Sequence, residues 1–214
     1  MVALSGGIDS SVTTALAVKA NGPERVRVLH MPEQHSADET LDLSSMVADH
    51  FGVEKVHEEI SDILEVLGCY RRYDHAVQRV IPEYGQGWKS KIITPNVIEQ
   101  KGFNLFSIVA QSPAGEIFKK RLPLEAYLEI VAATNFKQRT RKMLEYYHAD
   151  RLNYAVAGTP NRLEYDQGFF VKLGDGAADV KPIAHLYKTQ VYQLAEYLEV
   201  PAEIRKRPPS TDTF

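Results

Sequence analysis

The sequence has a single cysteine, Cys69, among its 214 residues. One thiol excludes an internal disulfide and a CxxC metal site, and such sparse use of cysteine fits a reducing compartment. Long apolar runs are also missing, so no segment reaches the length of a membrane-spanning helix. The N-terminus lacks the basic and then apolar pattern of a signal peptide. We therefore predict a cytoplasmic protein without membrane contact.

The sequence also has little excess charge of either sign. Its formal net charge is -3, its charged residues are 25% of the total, and its apolar residues are 44%. This composition is that of a soluble globular protein with enough apolar side chains for a core. The nearly balanced charge argues against a large nucleic-acid-binding surface, since such surfaces are strongly basic.

Apolar periodicity indicates alternating strands and helices at both ends of the chain. We predict strands at 1–5, 25–31, 53–58 and 153–158, and helices at 9–20, 37–51, 135–150 and 189–199. Alternation at this spacing is typical of an α/β fold with a doubly wound parallel sheet and helices on both faces. The first strand is very short for a parallel sheet, and residues 208–214 stop in a predicted loop, so we expect that both termini are truncated.

Residues 70–128 interrupt this alternation and are rich in tyrosine, arginine, proline and glycine. Within them, NLFSIVAQ and EIFKKRL flank a Ser-Pro-Ala-Gly turn, which predicts a hairpin. We therefore predict a single domain over 1–214 with an insertion at about 70–128. One interpretation is a surface subdomain or dimer contact with a solvated basic face. The other is a lid whose basic and aromatic residues bind an anionic substrate that carries rings or sugars.

The glycine-rich stretch ALSGGIDSS at 3–11 lacks the lysine of a Walker A loop and the spacing of a dinucleotide fingerprint. Between a strand and a helix, Gly6 and Gly7 let backbone N–H groups approach an anion, which the helix dipole also favours. Because Asp9 would repel a bare phosphate, its position predicts Mg²⁺ beside it. The alternative is an ordinary turn in which Asp9 or Ser10 is the helix N-cap.

The residues SGGIDS resemble the pyrophosphate-binding loop (PP-loop) of the ATP pyrophosphatase superfamily, which activates a substrate oxygen as an adenylate. Four later stretches resemble one family of it, the ammonia-dependent NAD synthetases, in order and spacing. They are NFKQRTRK (135–142), GTPNRLE (158–164), FFVKLGDGAADVKPI (169–183) and LYKTQVYQLAEYL (186–198). The resemblance covers 1–60 and 130–212 but not the insertion. It implies an adenine nucleotide alpha hydrolase-like, Rossmann-like fold.

The resemblance also implies a ligase reaction in two steps. The nicotinate carboxylate of deamido-NAD attacks the α-phosphorus of ATP, and ammonia then displaces AMP to give NAD. ATP as co-substrate, Mg²⁺ and a homodimer are implied, with free ammonia or a separate glutaminase as the nitrogen source. Two alternatives are a related amide ligase for another carboxylate, with the insertion as specificity element, and a nucleotide-binding module without turnover.

Site residues follow from the resemblance, position by position. Asp9 and Lys188 are the expected catalytic residues, and Asp9 and Glu164 are the expected metal ligands. The expected contacts to deamido-NAD are Arg139, Lys172 and Asp179. The expected contacts to ATP and pyrophosphate are Ala3, Leu4, Ser5, Gly6, Gly7, Ile8, Asp9, Ser10, Thr159, Lys188 and Ser210.

Three of these residues also have an interpretation from their own chemistry. Thr159 follows the end of a predicted strand, where ligands of parallel sheets bind. Glu164 is the only nearby acid that can share a metal with Asp9; its alternative is a surface glutamate at a helix entry. Lys188 begins a helix, where a point charge can stabilise departing pyrophosphate; its alternative is an exposed helix lysine.

The residues that resemble dinucleotide contacts have plainer alternatives. Asn135 is predicted to cap helix 135–150, which would place Arg139 near the first turns, where it can bind a phosphate. The alternative for Arg139 is a solvated basic helix face. Lys172 and Asp179 flank a glycine turn, and their alternative is a surface pair of little energetic weight.

Overall fold

The computed structural model describes residues 1–36, 38–93 and 106–207. The chain divides into two compact units. The first unit comprises Met1–Asp62 and the described chain from Gln138 onward, and the second comprises Ile63–Lys137. The second unit contains the stretch that we predict as an insertion.

The first unit has an α/β fold with a parallel sheet. Its N-terminal elements are β1 (Val2–Ala3), α1 (Ile8–Asn21), β2 (Arg27–His30), α2 (Asp38–His50) and β3 (Glu54–His57). The strand order is β1-β2-β3, and both pairings are parallel. The prediction of an α/β fold with a parallel sheet and flanking helices is confirmed. Each of these strands is shorter than predicted.

The apolar core of this unit lies between the sheet and its helices. Val2 and Val28 on the strands and Val12 and Val47 on the helices are fully buried. Burial of such β-branched side chains on both faces is typical of parallel strands. The polar loops at the strand ends are thereby held on a rigid base.

The C-terminal half of the chain is mostly helical. Its elements are α5 (Leu124–Leu152), α6 (Arg162–Gln167), α7 (Lys188–Tyr197) and α8 (Ala202–Lys206). The predicted strand at 153–158 is wrong in extent, because Ala157 forms only isolated parallel bridges, to Val2 and to Val180. The start of that stretch still belongs to the helix end, since the Tyr154 N–H donates to the Ala149 carbonyl.

Helix α5 begins in the second unit and ends in the first. The predicted start at 135 is wrong, because the helix begins at Leu124, directly after Pro123. Asn135 therefore lies inside the helix and is not its N-cap, and Arg139 lies in the middle rather than in the first turns. A proline next to the first turn is an established start signal, and it outweighs the capping preference of an asparagine.

The second unit combines helices with an antiparallel sheet. Its elements are α3 (Ser61–Val66, which starts in the first unit), α4 (Cys69–Gln78), β4 (Lys89–Ile93), β5 (Ser107–Gln111) and β6 (Ile117–Arg121). The order is β4-β5-β6. The predicted hairpin is confirmed, since Gln111 pairs with Ile117 across the turn. Across residues 1–36, 38–93 and 106–207, no helix has the length and apolarity to cross a membrane.

Candidate active site

The glycine-rich loop connects β1 to α1. Gly7 is the N-cap of α1 and has an extended backbone, and its carbonyl accepts hydrogen bonds from the Ser10 hydroxyl (3.0 Å) and the Ser11 hydroxyl (2.8 Å). The alternative with Asp9 or Ser10 as N-cap is therefore wrong, because the helix begins at Ile8. The Asp9 carboxylate is left for other partners.

The two adjacent glycines have different reasons to be glycine. Gly6 has a φ of +72°, and an added Cβ would lie 2.9 Å from the Leu43 Cβ and 3.0 Å from the Ser44 backbone nitrogen. An added Cβ at Gly7 would meet only the Ser5 hydroxyl oxygen, at 3.4 Å. The fold thus requires glycine at position 6 but not at position 7. A bare backbone at Gly7 suits the close approach of a ligand.

Side chains from three helices meet at Asp9. The Asn161 amide donates to one Asp9 carboxylate oxygen at 3.3 Å, and the Lys188 ammonium forms an ion pair with the other. Asp9 belongs to α1, Asn161 caps α6 and Lys188 is the first residue of α7. The Asp9 side chain is 19% exposed and the Lys188 side chain 29%. Both side chains are therefore mostly buried but keep some contact with solvent.

Glu164 is linked to the same cluster through Asn161. The Asn161 side-chain oxygen accepts from the backbone N–H groups of Leu163 (3.0 Å) and Glu164 (3.3 Å). The Glu164 carboxylate accepts the Asn161 N–H at 2.9 Å, which completes a capping box. Burial raises the pKa of the Glu164 carboxyl, and the charge of Asp9 raises it further, while Lys188 opposes both. Glu164 thus stands at a helix entry, as its alternative expects, and it interacts electrostatically with Asp9. Its role as a metal ligand stays a prediction.

Sequence reasoning did not select Asn161, although the signal was present. The pattern Asn-x-x-Glu before a helix is a capping-box signature, and Asn161 follows the end of the sheet at Gly158. The neighbouring position, Gly158, is packed closely, because an added Cβ would lie 2.7 Å from the Ala178 Cβ. Thr159 therefore lies between the closely packed Gly158 and Asn161, the N-cap of α6.

The donor set of Asp9 and Glu164 fits Mg²⁺. Within the described ranges, no three His, Cys, Asp or Glu side chains are grouped as a metal cage would need. Mg²⁺ usually takes only one or two carboxylates and completes its octahedron with water and substrate phosphates. Asp9 and Glu164 are such a pair, because the Asp9 charge raises the pKa of the Glu164 carboxyl and a divalent cation would relieve that repulsion.

Two of the three expected dinucleotide contacts, Arg139 and Lys172, are joined by a hydrogen bond. The Arg139 guanidinium donates to the Lys172 carbonyl at 3.2 Å. The Asp179 carboxylate accepts from the Val156 N–H at 2.8 Å and from the Tyr146 hydroxyl at 3.1 Å. Asp179 thus anchors the segment after α5, a role that sequence reasoning missed. Ser210 lies outside the described residues.

Comparison with known proteins assigns the chain to a family. The sequence profile of the NAD synthase family matches residues 1–83 and 80–214. The NH(3)-dependent NAD(+) synthetase of Rhizobium meliloti is 61% identical over the whole chain, and that of Thermotoga neapolitana is 36% identical over 213 residues. These matches run through 70–128 as well, so the expectation that the resemblance stops at the insertion is wrong.

Solved structures agree on the fold. The structure of NMN synthetase from Francisella tularensis covers 98% of this chain and 65% of its own, with a TM-score of 0.67 and 26% identity. The NH3-dependent NAD synthetase from Campylobacter jejuni has a TM-score of 0.64 and 24% identity, and 67% of that protein is covered. The present chain spans 64% of the length of the Rhizobium meliloti relative and 68% of the Thermotoga neapolitana relative. By its sequence, this chain belongs to the NAD synthase family.

Proposed function

We propose that this chain carries the ATP-activating site of an ammonia-dependent NAD synthetase, a ligase that forms the amide of NAD. One observation carries the proposal: Asp9, Glu164 and Lys188 converge beside a loop whose second glycine the fold does not require. High identity to relatives with this name supports the choice of reaction. Charges placed before the substrate arrives are the main source of catalysis in such transfers.

The loop and its neighbours would position ATP. Backbone N–H groups at Gly7 and the start of α1, together with the Ser5 hydroxyl, would donate to the phosphates. The Ser10 hydroxyl would join them by exchanging its bond to the Gly7 carbonyl for one to a phosphate oxygen. Lys188 is held next to Asp9, so its ammonium is available to the α-phosphate and to departing pyrophosphate. Thr159 contributes a hydroxyl from the adjacent strand end, and Ser210 is a further expected ATP contact.

Asp9 and Glu164 would hold Mg²⁺, which neutralises charge on the triphosphate and on the leaving pyrophosphate. The chain's own residues then place the reacting groups. A carboxylate oxygen of deamido-NAD attacks the α-phosphorus, the bond to pyrophosphate breaks, and ammonia displaces AMP from the acyl carbon. This sequence needs no covalent nucleophile from the protein, so accurate placement supplies most of the rate.

Arg139, Lys172 and Asp179 are the proposed contacts to the dinucleotide. Arg139 suits a phosphate because its planar donors can bind two oxygens at once. Its hydrogen bond to the Lys172 carbonyl holds the Arg139 side chain next to the backbone of Lys172. We further propose a cytoplasmic homodimer that uses free ammonia or ammonia from a separate glutaminase.

A second candidate is amidation of a smaller carboxylate. The solved structure named NMN synthetase, which is 26% identical to this chain, favours it. Nicotinate mononucleotide and deamido-NAD present the same carboxylate to ATP and differ in the adenylate half. The chemistry at Asp9 and Lys188 would be unchanged, so only substrate profiling separates the two candidates.

The test uses the full-length protein with ATP, Mg²⁺, ammonium and either carboxylate, and it follows AMP, pyrophosphate and the amide product. We expect NAD and AMP in equal amounts from deamido-NAD. Asp9→Asn should lower kcat/KM by about 100-fold or more. Asp166→Asn, which removes an exposed acid of α6 paired only with Arg162 in the described part of the chain, is the matched control and should change it less than about twofold.

Three other outcomes would change the assignment. A preference for nicotinate mononucleotide selects the second candidate. Pyrophosphate release with a different carboxylate retains the adenylating chemistry but not the substrate. ATP binding without release of pyrophosphate, with any carboxylate, identifies a nucleotide-binding module and overturns the proposal.

A further inference from the structure

An ion pair is buried on α5 beside β1. The Lys142 ammonium lies 2.5 Å from one Glu145 carboxylate oxygen, and the two side chains are 9% and 1% exposed. The other Glu145 oxygen accepts the backbone N–H of Ala3 at 3.0 Å. A single carboxylate thus joins a buried cation to the backbone of a strand.

The hydrogen bond lies on a defined edge of β1. The next residue, Leu4, donates its N–H to the Leu29 carbonyl on β2. Because successive N–H groups of a strand point to opposite sides, the Ala3 N–H faces away from β2. Met1 is on that same edge, where its carbonyl accepts from Ala157. Glu145 therefore supplies an acceptor at the last residue of β1, two positions before Ser5.

Stability alone does not account for a charged pair at this place. A buried ion pair is generally no more stabilising than apolar side chains of similar volume, because both charges lose their water. Burial raises the pKa of the Glu145 carboxyl, and the Lys142 charge opposes that effect. An apolar pair, however, could not accept the Ala3 N–H. The specific contribution of this pair is the position of the Ala3 backbone.

The same face of α5 holds the end of the neighbouring strand. Arg141, one turn before Glu145, donates to the carbonyl of Met31 at 3.2 Å, and Met31 directly follows β2. Residues four apart on a helix share a face. Two side chains of one helix thus hold the carboxyl ends of β1 and β2. Ligand-binding loops of parallel sheets leave from these strand ends.

We propose that Glu145 is a positioning residue for the nucleotide loop, and that it fixes the end of β1 from which Ser5–Ser10 departs by accepting the Ala3 N–H. The inference rests on the proposed function, in which this loop binds the phosphates of ATP. Lys142 compensates the carboxylate charge. Neither side chain needs to touch the substrate.

Two double variants of the full-length protein test this role. Lys142→Met/Glu145→Gln retains an acceptor for the Ala3 N–H, and Lys142→Met/Glu145→Leu removes it. Both variants are neutral at these positions and similar in volume, so neither leaves an unpaired buried charge. The readouts are the Kd for ATP with Mg²⁺ by calorimetry, the KM values for ATP and ammonium, and the thermal midpoint.

We expect the leucine variant to bind ATP about tenfold more weakly, the size of one lost hydrogen bond, with less than a twofold change in the KM for ammonium. The glutamine variant should bind ATP within about twofold of the natural protein. Equal ATP affinities of the two variants, or equal rises in both KM values, would overturn the proposal. If the leucine variant does not fold, a tenfold loss of ATP affinity in the glutamine variant overturns it, and a change below twofold supports it. Because the Kd needs no turnover, a protein that binds ATP but makes no amide refutes the proposed function and leaves this test readable.

Discussion

The parallel sheet and the antiparallel sheet differ in what happens to polar groups at their sides. Beside the loop that follows β1, Asp9 and Lys188 form an ion pair and are partly accessible. In the antiparallel unit, the Tyr73 hydroxyl lies 2.9 Å from the Ser90 hydroxyl, which donates to the Tyr84 hydroxyl at 3.2 Å. Burial raises the pKa of Tyr84 to about 12, so this network stays neutral. The ion pair beside the loop can interact with a ligand, whereas the hydroxyl groups of the tyrosine–serine network bond to one another.

From this difference we expect that the residues of the proposed ATP site and the residues that stabilise the fold form largely separable sets. Parallel strands deliver successive loops and helix N-termini to one edge, where charge can gather around a substrate. An antiparallel hairpin sheet has no such edge and instead pairs an apolar face with a core. Substitutions in the two sets should therefore change different measurements.

The largest effect on stability should come from the core of the second unit. Ile108 on β5 is fully buried, so Ile108→Ala should lower the free energy of unfolding by about 3 kcal/mol, through lost burial and the cavity left behind. Ile117→Ala on the neighbouring strand, where the side chain is 71% exposed, should change it by less than about 0.5 kcal/mol. Urea unfolding measures both. If the folded Ile108→Ala variant also binds ATP more than about twofold more weakly, stability and ATP binding do not reside in separate sets of residues.

Substitutions at the two adjacent loop glycines should have different effects, one on the free energy of unfolding and the other on ATP affinity. Gly6→Ala forces a side chain into a left-handed conformation and against Leu43, which should cost about 2 kcal/mol of unfolding free energy. Gly7→Ala should lower the free energy of unfolding by less than about 0.5 kcal/mol. It should nevertheless weaken ATP binding about tenfold, because the added methyl group occupies the space through which the phosphates approach. Calorimetry and thermal unfolding of the pair decide. Normal ATP affinity in Gly7→Ala would remove the loop from the binding site.

Much of the fold could be predicted from apolar periodicity. The order of strands and helices from β1 to β3 follows from it, and so does the hairpin around Gly115, because both depend on local patterns. The predicted extent of the strand at 153–158 was wrong because an apolar run does not reveal that its first N–H groups still donate to carbonyls of the preceding helix. The predicted start of α5 was wrong for the opposite reason, since a capping residue was preferred to a proline signal twelve positions earlier.

The candidate site could be predicted less completely. Motif residues such as Asp9, Glu164 and Lys188 stand out by their type and place, and the structure brings them together. Glu145 does not stand out, and Asn161 is marked only by its capping-box pattern, because the role of each is to bond to another residue's backbone or side chain. Such positioning contacts join residues far apart in sequence, as the 142 positions between Ala3 and Glu145 show. Only the folded chain reveals them.

A smaller effect on stability should appear at acid pH in the first unit. His30 is buried on β2, and its Nε2 atom has no hydrogen-bond partner among the described residues. Burial lowers the pKa of His30 to about 4, with Lys55 and His57 adding to the shift and Asp49 opposing it. A depressed histidine pKa means that the unfolded chain binds the proton first, so the folded state loses stability as pH falls below about 6.5.

Between pH 7 and pH 5, this linkage should cost about 1–2 kcal/mol of unfolding free energy. His30→Leu removes the titrating group and should flatten that part of the pH profile, as urea unfolding at the two pH values would show. His185→Leu, at an exposed histidine, is the matched control for the loss of a histidine side chain. A profile of His30→Leu that follows the natural protein would show that His30 binds its proton equally well in the folded and the unfolded chain.

The smallest effect concerns the metal requirement of the charged edge. If Asp9 and Glu164 share Mg²⁺, then Glu164→Gln should keep the capping box, because its side-chain oxygen can still accept the Asn161 N–H. It should nevertheless need at least about tenfold more Mg²⁺ for half-maximal activity, since one anionic ligand is lost. Thermal unfolding without Mg²⁺ should barely change. Asp166→Asn on the same helix should keep the natural Mg²⁺ requirement. An unchanged requirement in Glu164→Gln would assign Glu164 to the helix cap alone, and Asp9 would then have to bind the cation without it.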